Sequence, residues 1–304
     1  MKGTVIESCW AGAERAAAVG PRARFPAAPG DGVVEFAFVR GKTALRSMRS
    51  TYPLKMMHLR GAARTPYSSV QRDAPDQELP GAEWVYMLGH GGGVVSGDLQ
   101  RVRVGVDAGC TAVLTTQSFT KVYHHHQGQV SRQYMRADIG SNALLVVLPD
   151  PVVPFRHSRF VQHQDFELQR QGGPSTGEES GAEHCCVGGS LVLVDWLTSG
   201  RRARGESWEM DRYESVNRVS VGGQCVLHDA VQLSRDPRTS SVKQRMLPFH
   251  CLAMVALIGP RTSALAEYLR ELVRARQTER IVDEEGEGTP FVGGKRRRHP
   301  GVCS

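Results

Sequence analysis

The sequence has no C-x-x-C spacing, although it holds seven cysteines in 304 residues. That absence argues against a zinc knuckle. An odd cysteine count, with Cys185 and Cys186 adjacent, does not suit a secreted disulfide framework either. Reduced thiols in a cytoplasmic protein are expected. No apolar run approaches the roughly 18 residues that cross a bilayer, and the N-terminus lacks the apolar centre of a secretion signal. A soluble chain with no membrane partner is therefore expected. Neither H-E-x-x-H nor G-x-S-x-G occurs, so no known hydrolase constellation is visible.

What is present is a globular composition, 40% hydrophobic and 23% charged, with a formal charge of +7. The basic surplus gathers in "GRRARGE" and "GKRRRHPG", runs that usually belong to solvated ends and loops. After a Pro/Gly-punctuated leader over 1–32, the pattern turns to period two. "VVEFAFVR" sets Val34, Phe36 and Phe38 on one face, and "RVRVGVD" sets Val102, Val104 and Val106 against Arg101, Arg103 and Gly105. Such alternation is the mark of half-buried strands. Further strands are expected in "WVYMLGH", "TAVLTT", "TKVYHHH", "QVSRQYMRAD", "ALLVVLP", "SRFVQHQDFEL", "SLVLVDWLT", "ESWEMDRYESVNRV", "CVLHDAVQLS" and "FHCLAMVALIG". Many short strands with few helices between them predict a mainly β, largely antiparallel protein over 33–282. One helix is predicted in "TSALAEYLRELVRAR", where Leu265, Tyr268, Leu269, Leu272 and Val273 form a stripe suited to lie on the sheet. The segment 170–189 is read as a disordered insertion, and 283–304 as a divergent, disordered basic tail.

The stretch "LGHGGGVVSGD" over 88–98 raises three possibilities: a phosphate loop, a metal loop or a tight backbone turn. A phosphate loop needs Lys and Ser/Thr before a helix. Here Asp98 takes the place of the lysine and a strand follows, so phosphate is excluded on charge. The remaining reading is a loop in which Gly92, Gly93 and Gly97 shape the backbone and present Asp98, beside His90. Downstream, "TTQSFTKVYHHH" ends in three histidines. If these lie on a strand, only His124 and His126 share a face, and two imidazoles make an incomplete metal site.

The blocks "GHGGGVVSGD", "TTQSFTKVY", "LPDPVVPF" and "LVDWLTSGRRARGESW" stand in the order and approximate spacing of the urease accessory protein D family, which the chain resembles over about 33–275. "PLKMMHLR" and "HCLAMVALIGP" add to the resemblance. It implies a β-helix-like scaffold carrying one or two helices, with no catalytic turnover and no tightly bound cofactor. It also implies partners: accessory protein F, the GTPase accessory protein G and apo-urease, with a possible homodimer within the complex. Transient nickel would pass through a polar tunnel towards urease. On that reading the path candidates are Asp98, Asp150, Asp195, Glu206, Thr115, Thr116 and Gln117. Lys121, Tyr123 and Arg201 are motif residues with structural roles, and His124 and His126 are additional metal candidates.

Nickel in transit suits oxygen ligands that release it, since thiolates would trap it. Three of the carboxylates also have a plainer reading. Asp150 is placed to act as a turn acid, Asp98 to bond its own loop, and Glu206 to pair with Arg201 or Arg204. Two further classes stand beside this one. A basic β protein binding nucleic acid is disfavoured by strands without regular aromatic and basic interleaving. A metallohydrolase built on His124 and His126 lacks a third ligand and a base.

Overall fold

A computed structural model describes residues 28–59, 81–171, 187–235, 238 and 240–286, with side chains described as far as 276. Most of the leader, 172–186 of the insertion with His184, Cys185 and Cys186, and 287–304 of the tail lie outside the described residues.

The chain runs through β1 (Asp31–Val39), β2 (Lys42–Ser50), β3 (Leu54–Leu59), β4 (Glu83–Gly89), β5 (Leu99–Val106) and β6 (Thr111–Thr115). It continues through β7 (Thr120–Val122), β8 (Ser131–Ile139), β9 (Leu144–Leu148), β10 (Val152–Pro154), β11 (Arg159–Leu168) and β12 (Ser190–Thr198). After a short 3-10 turn at Arg202–Arg204 come β13 (Arg212–Val221), β14 (Gln224–Ser234), helix α1 (Val242–Met246) and β15 (Cys251–Ile258). Helix α2 (Ser263–Gly286) forms a unit of its own. The stripe Leu265, Tyr268, Leu269, Leu272 and Val273, expected to bury itself, is exposed along its length. Among the described residues no helix is long and apolar enough to cross a membrane.

The strands form two sheets. One has the order β14-β13-β11-β8-β5-β1-β2, the other β3-β4-β6-β9-β12-β10-β7, with β15 on β12. From β4 onward the chain alternates between them, β4 to β5, β6 to β8, β9 to β11 and β12 to β13, so each strand lies beside the one two stations earlier. This is the β-helix-like winding expected. The largely antiparallel expectation, however, is corrected. β1, β5, β8, β11 and β13 pair in parallel, as do β4, β6, β9 and β12. Among the named strands of the described residues, antiparallel pairing is confined to β1–β2, β3–β4, β13–β14 and β12–β15. The alternation misleads because parallel sheets usually have helices on both faces and read as continuous apolar runs. Here the crossover is another strand, so each sheet keeps one outer face and each strand keeps its period of two.

The inner faces meet in one apolar cluster. Val102, Val104 and Val106 join Ala137 and Ile139, Phe166 and Leu168, Val219 and Val221 from the first sheet. Ala112, Leu114, Leu145, Leu191 and Leu193 join them from the second. The short turns at this end stack on one another: Gly109 N–H donates to Ser141 O, and Asn142 N–H to Gly188 O. Stacking brings backbones so close that a Cβ on Gly140 would lie 2.6 Å from Ala108 N. Gly140→Ala is therefore expected to cost about 1–3 kcal/mol, an overpacking penalty that a denaturant midpoint would register.

The two outer faces differ. On the first sheet Arg103, Arg136, Asp165 and Arg218 follow one another across the strands. On the second, Leu59, Trp84, Val113, Val146, Val192 and Leu257 do so. Met57, Leu148 and Val255 are exposed on that second sheet.

Candidate functional site

The connections between strands come in two kinds. Those leading from the first sheet to the second are mostly tight turns. Those leading back are long arches, and each of the four main motif blocks of the sequence lies on one. The glycine loop joins β4 to β5, "TTQSFTKVY" leaves β6, "LPDPVVPF" joins β9 to β11, and "SGRRARGESW" joins β12 to β13. The arches lie over one another as short parallel pairings, Val94 with Val122 and Pro154 with Val122. Beneath them is a second apolar cluster of Val94, Val122, Val152, Phe160, Leu197, Trp208, Met210 and Tyr213.

Between the two apolar clusters the inner face of the first sheet is polar. Gln100, Gln133, Gln162 and Ser215 are register partners on β5, β8, β11 and β13, so their side chains form one row. The row ends at Asp195, which enters from β12 and is 9% exposed. Its carboxylate accepts from Gln162 Nε2 at 3.1 Å, Ser215 Oγ at 2.5 Å and Asn217 Nδ2 at 2.8 Å. Gln164 Nε2 donates in turn to Asn217 Oδ1 at 2.9 Å. No cation takes part in this bonding, so a buried carboxylate is held by neutral donors. Burial, and then the Asp195 charge, push the Tyr213 phenol well above its ordinary value.

The other end of the row opens into a cleft of about 290 Å³ under the glycine loop. Gly89 to Val94, Gln100, Gln133, Thr116, Gln117, Phe119 and Lys55 are among its lining. The loop packs tightly on its neighbour arch: a Cβ on Gly93 would meet Lys121 O and the Tyr123 ring at 2.6 Å. Gly92 and Gly97 both sit at positive φ. Lys121 and Tyr123 therefore form the floor on which the glycine loop rests, and the Tyr123 ring meets Phe155 edge-on at 5.1 Å.

The candidate carboxylates do not converge. Asp98 accepts from Val95 N–H at 3.0 Å and closes its own loop, while burial raises its pKa against that bond. It does not line the cleft, so the charge that seemed to exclude an anion from this loop lies elsewhere. Asp150 is clasped to Thr116, its N–H donating to Thr116 Oγ1 at 2.8 Å. Thr115 Oγ1 donates to Leu148 O. Glu206, 6% exposed, is gripped by Arg201 through Nε at 2.9 Å and through a second, shorter contact. That guanidinium lies 3.8 Å over the Phe155 ring and holds the Glu206 carboxyl below its ordinary range.

The histidine expectation is corrected. β7 ends at Val122, so the three histidines are not on a strand, and His124 and His126 are exposed. The engaged one is His125. Its Nε2 lies 3.1 Å from Asp211 Oδ2, and His157 Nδ1 lies 3.1 Å from Asp211 Oδ1. Burial works against the Asp211 charge, but the bonds from His157 and His125 and the nearby Arg159 outweigh it and lower its pKa. Among the described residues no group of three His, Cys, Asp or Glu side chains is arranged to hold a metal.

Sequence reading missed the glutamine row, His125 and Asp211. The row had a signal: Gln100 shares the parity of Val102 and Val104, and Gln162 and Gln164 that of Phe160 and Phe166. Polar residues at apolar stations of a strand are polar groups facing a core.

A family model described as UreD urease accessory protein matches residues 28–178 and 182–293. The chain is 35% identical over 246 residues to "Urease accessory protein D" of Arabidopsis thaliana, covering 80% of this chain and 72% of that protein. It is 37% identical over 265 residues to "Urease accessory protein UreD" of Sorangium cellulosum, covering 87% and 72%. It is 31% identical over 274 residues to "Urease accessory protein D" of Oryza sativa subsp. indica, covering 90% and 79%. With matched segments that take in every arch and both sheets, the chain belongs to the UreD urease accessory protein family.

Proposed function

We propose that this protein is a non-enzymatic urease maturation factor, a scaffold that joins accessory proteins F and G, docks on apo-urease and conducts nickel to its active site. The observation that carries the conduit is the polar row from the cleft through Gln100, Gln133 and Gln162 to Asp195. Amide and hydroxyl oxygens with one carboxylate make a weak, exchanging ligand field for a hard-to-borderline cation, which is what transit needs. Thr116 and Gln117 stand at its mouth. Asp98 and Glu206 are committed to structural bonds and are left out of the path.

The apolar outer face of the second sheet supports the scaffold role. A row with aromatic and aliphatic side chains and no charge matches the centre of a protein interface. The nucleic-acid alternative is weakened by the pairing of several surface arginines: Arg46 with Asp107, Arg156 with Glu209, Arg212 with Glu214 and Arg218 with Asp165. Paired guanidiniums have less to gain from a phosphate backbone.

Co-expression with apo-urease and accessory proteins F and G is the test. Urease purified from cells carrying this chain is expected to hold several-fold more nickel than urease from cells without it. Equal nickel content and equal activity in the two preparations would end the proposal.

A further inference from the structure

We propose that the cleft under the glycine loop binds a small carboxylate-type monoanion, with Lys55 and the Gln100 carboxamide as its donors. The charge balance of the lining is the first reason. Lys55 carries its one fixed charge, and no Asp or Glu lines the cleft. Lys55 is exposed and makes no ion pair among the described residues. An anion is drawn to such a lining.

Gln100 is the second and independent reason. The residue is 4% exposed, and its Nε2 is buried with no hydrogen-bond partner. It lies beneath the loop, 3.7 Å from the position a Cβ on Gly89 would take. Buried amide donors in folded proteins find acceptors, and Gln100 is one of the residues that line the cleft. An oxyanion is acceptor-only, so it satisfies the stranded N–H while Lys55 supplies the opposite charge.

Size and charge narrow the class. About 290 Å³ accommodates a small carboxylate with a few waters and is at the lower limit of ordinary ligand pockets. A single lysine balances one negative charge. A dianion such as sulfate would keep an uncompensated charge against apolar Met87, Leu88 and Phe119, which is costly. An anion in place also cancels the one positive charge a divalent cation would meet on its way to Gln100. This links the two proposals, yet the anion site stands without the nickel path.

The test uses the full-length protein in a chloride buffer, titrated with sodium acetate and sodium formate and, separately, with sodium sulfate. Binding is followed by calorimetry and by saturation transfer to the acetate methyl protons. Acetate and formate are expected to saturate a single site, with sulfate at least tenfold weaker. Lys55→Met, a change at an exposed position, is expected to weaken acetate at least tenfold, and Lys55→Arg to restore most of the affinity. Gln100→Leu is expected to weaken acetate about fivefold or more without lowering the thermal midpoint in chloride alone. Absence of saturable acetate binding, unchanged affinity in Lys55→Met, or sulfate binding as tight as acetate would each overturn the proposal. None of these results bears on urease nickel content, so the two proposals fail separately.

Discussion

Asp195→Leu is expected to lower stability by about 3–5 kcal/mol, the largest effect of any single change in the polar layer. The carboxylate is the shared acceptor for Gln162, Ser215 and Asn217, and its loss strands three buried donors at once. A thermal or urea midpoint measures the drop. A structural hub and a station on a metal path would both suffer from this substitution, so the single variant cannot separate them. A compensated variant can. Asp195→Leu combined with Gln162→Met, Ser215→Ala, Asn217→Leu and Gln164→Met, the last because Gln164 donates to Asn217, replaces the polar hub by apolar side chains of similar volume. Such replacements often restore stability when every partner is removed together. The expected result is a midpoint near that of the parent protein, with urease nickel content still several-fold down. Recovery of both would show that Asp195 only holds the sheets together.

Much of the fold was legible because each strand keeps one face in the core. Val102, Val104 and Val106, or Leu191 and Leu193, declare both the strand and its inner side. Strand direction was not legible, because alternation reports burial on one side and is silent about the neighbour's polarity. β2 and β3 were not picked out as strands. "KTALRSMRS" has no clean alternation, and "LKMMHL" alternates apolar inner residues with Lys55, Met57 and Leu59, which are exposed. The motif blocks were visible as strings but not as a place. Only the winding puts four arches at one end, and only the register aligns Gln100, Gln133 and Gln162, which lie about thirty residues apart in the chain. Asp98 and Glu206 show the limit of reading acids singly: whether a carboxylate is free depends on a backbone N–H three residues away or an arginine five residues away.

Arg201→Met is the second large effect, and pH separates its causes. Breaking a buried ion pair by removing one partner costs about 3–5 kcal/mol, but the Arg201 side chain is 31% exposed and water screens the pair, so about 2–3 kcal/mol is expected. Two contributions are lost: the guanidinium's bond to Glu206, which is the larger, and its position over the Phe155 ring. Only the first depends on pH. The Glu206 carboxyl is lowered in the folded protein, so it binds its proton later on acidification than the unfolded chain, whose glutamates titrate near about 4.3. Stability from this pair is therefore fully present above about pH 4.3 and drains away as pH falls through the lower folded value. The parent protein and Arg201→Met are expected to differ most at neutral pH and to draw together in the acid limb of a urea-midpoint series. If the gap between them stays constant down to pH 3, the ring contact rather than the Glu206 pair is what Arg201 contributes. Glu206→Gln then serves as the cross-check. It keeps an acceptor for one guanidinium N–H and the stacking over Phe155, and it should abolish the pH-dependent part alone.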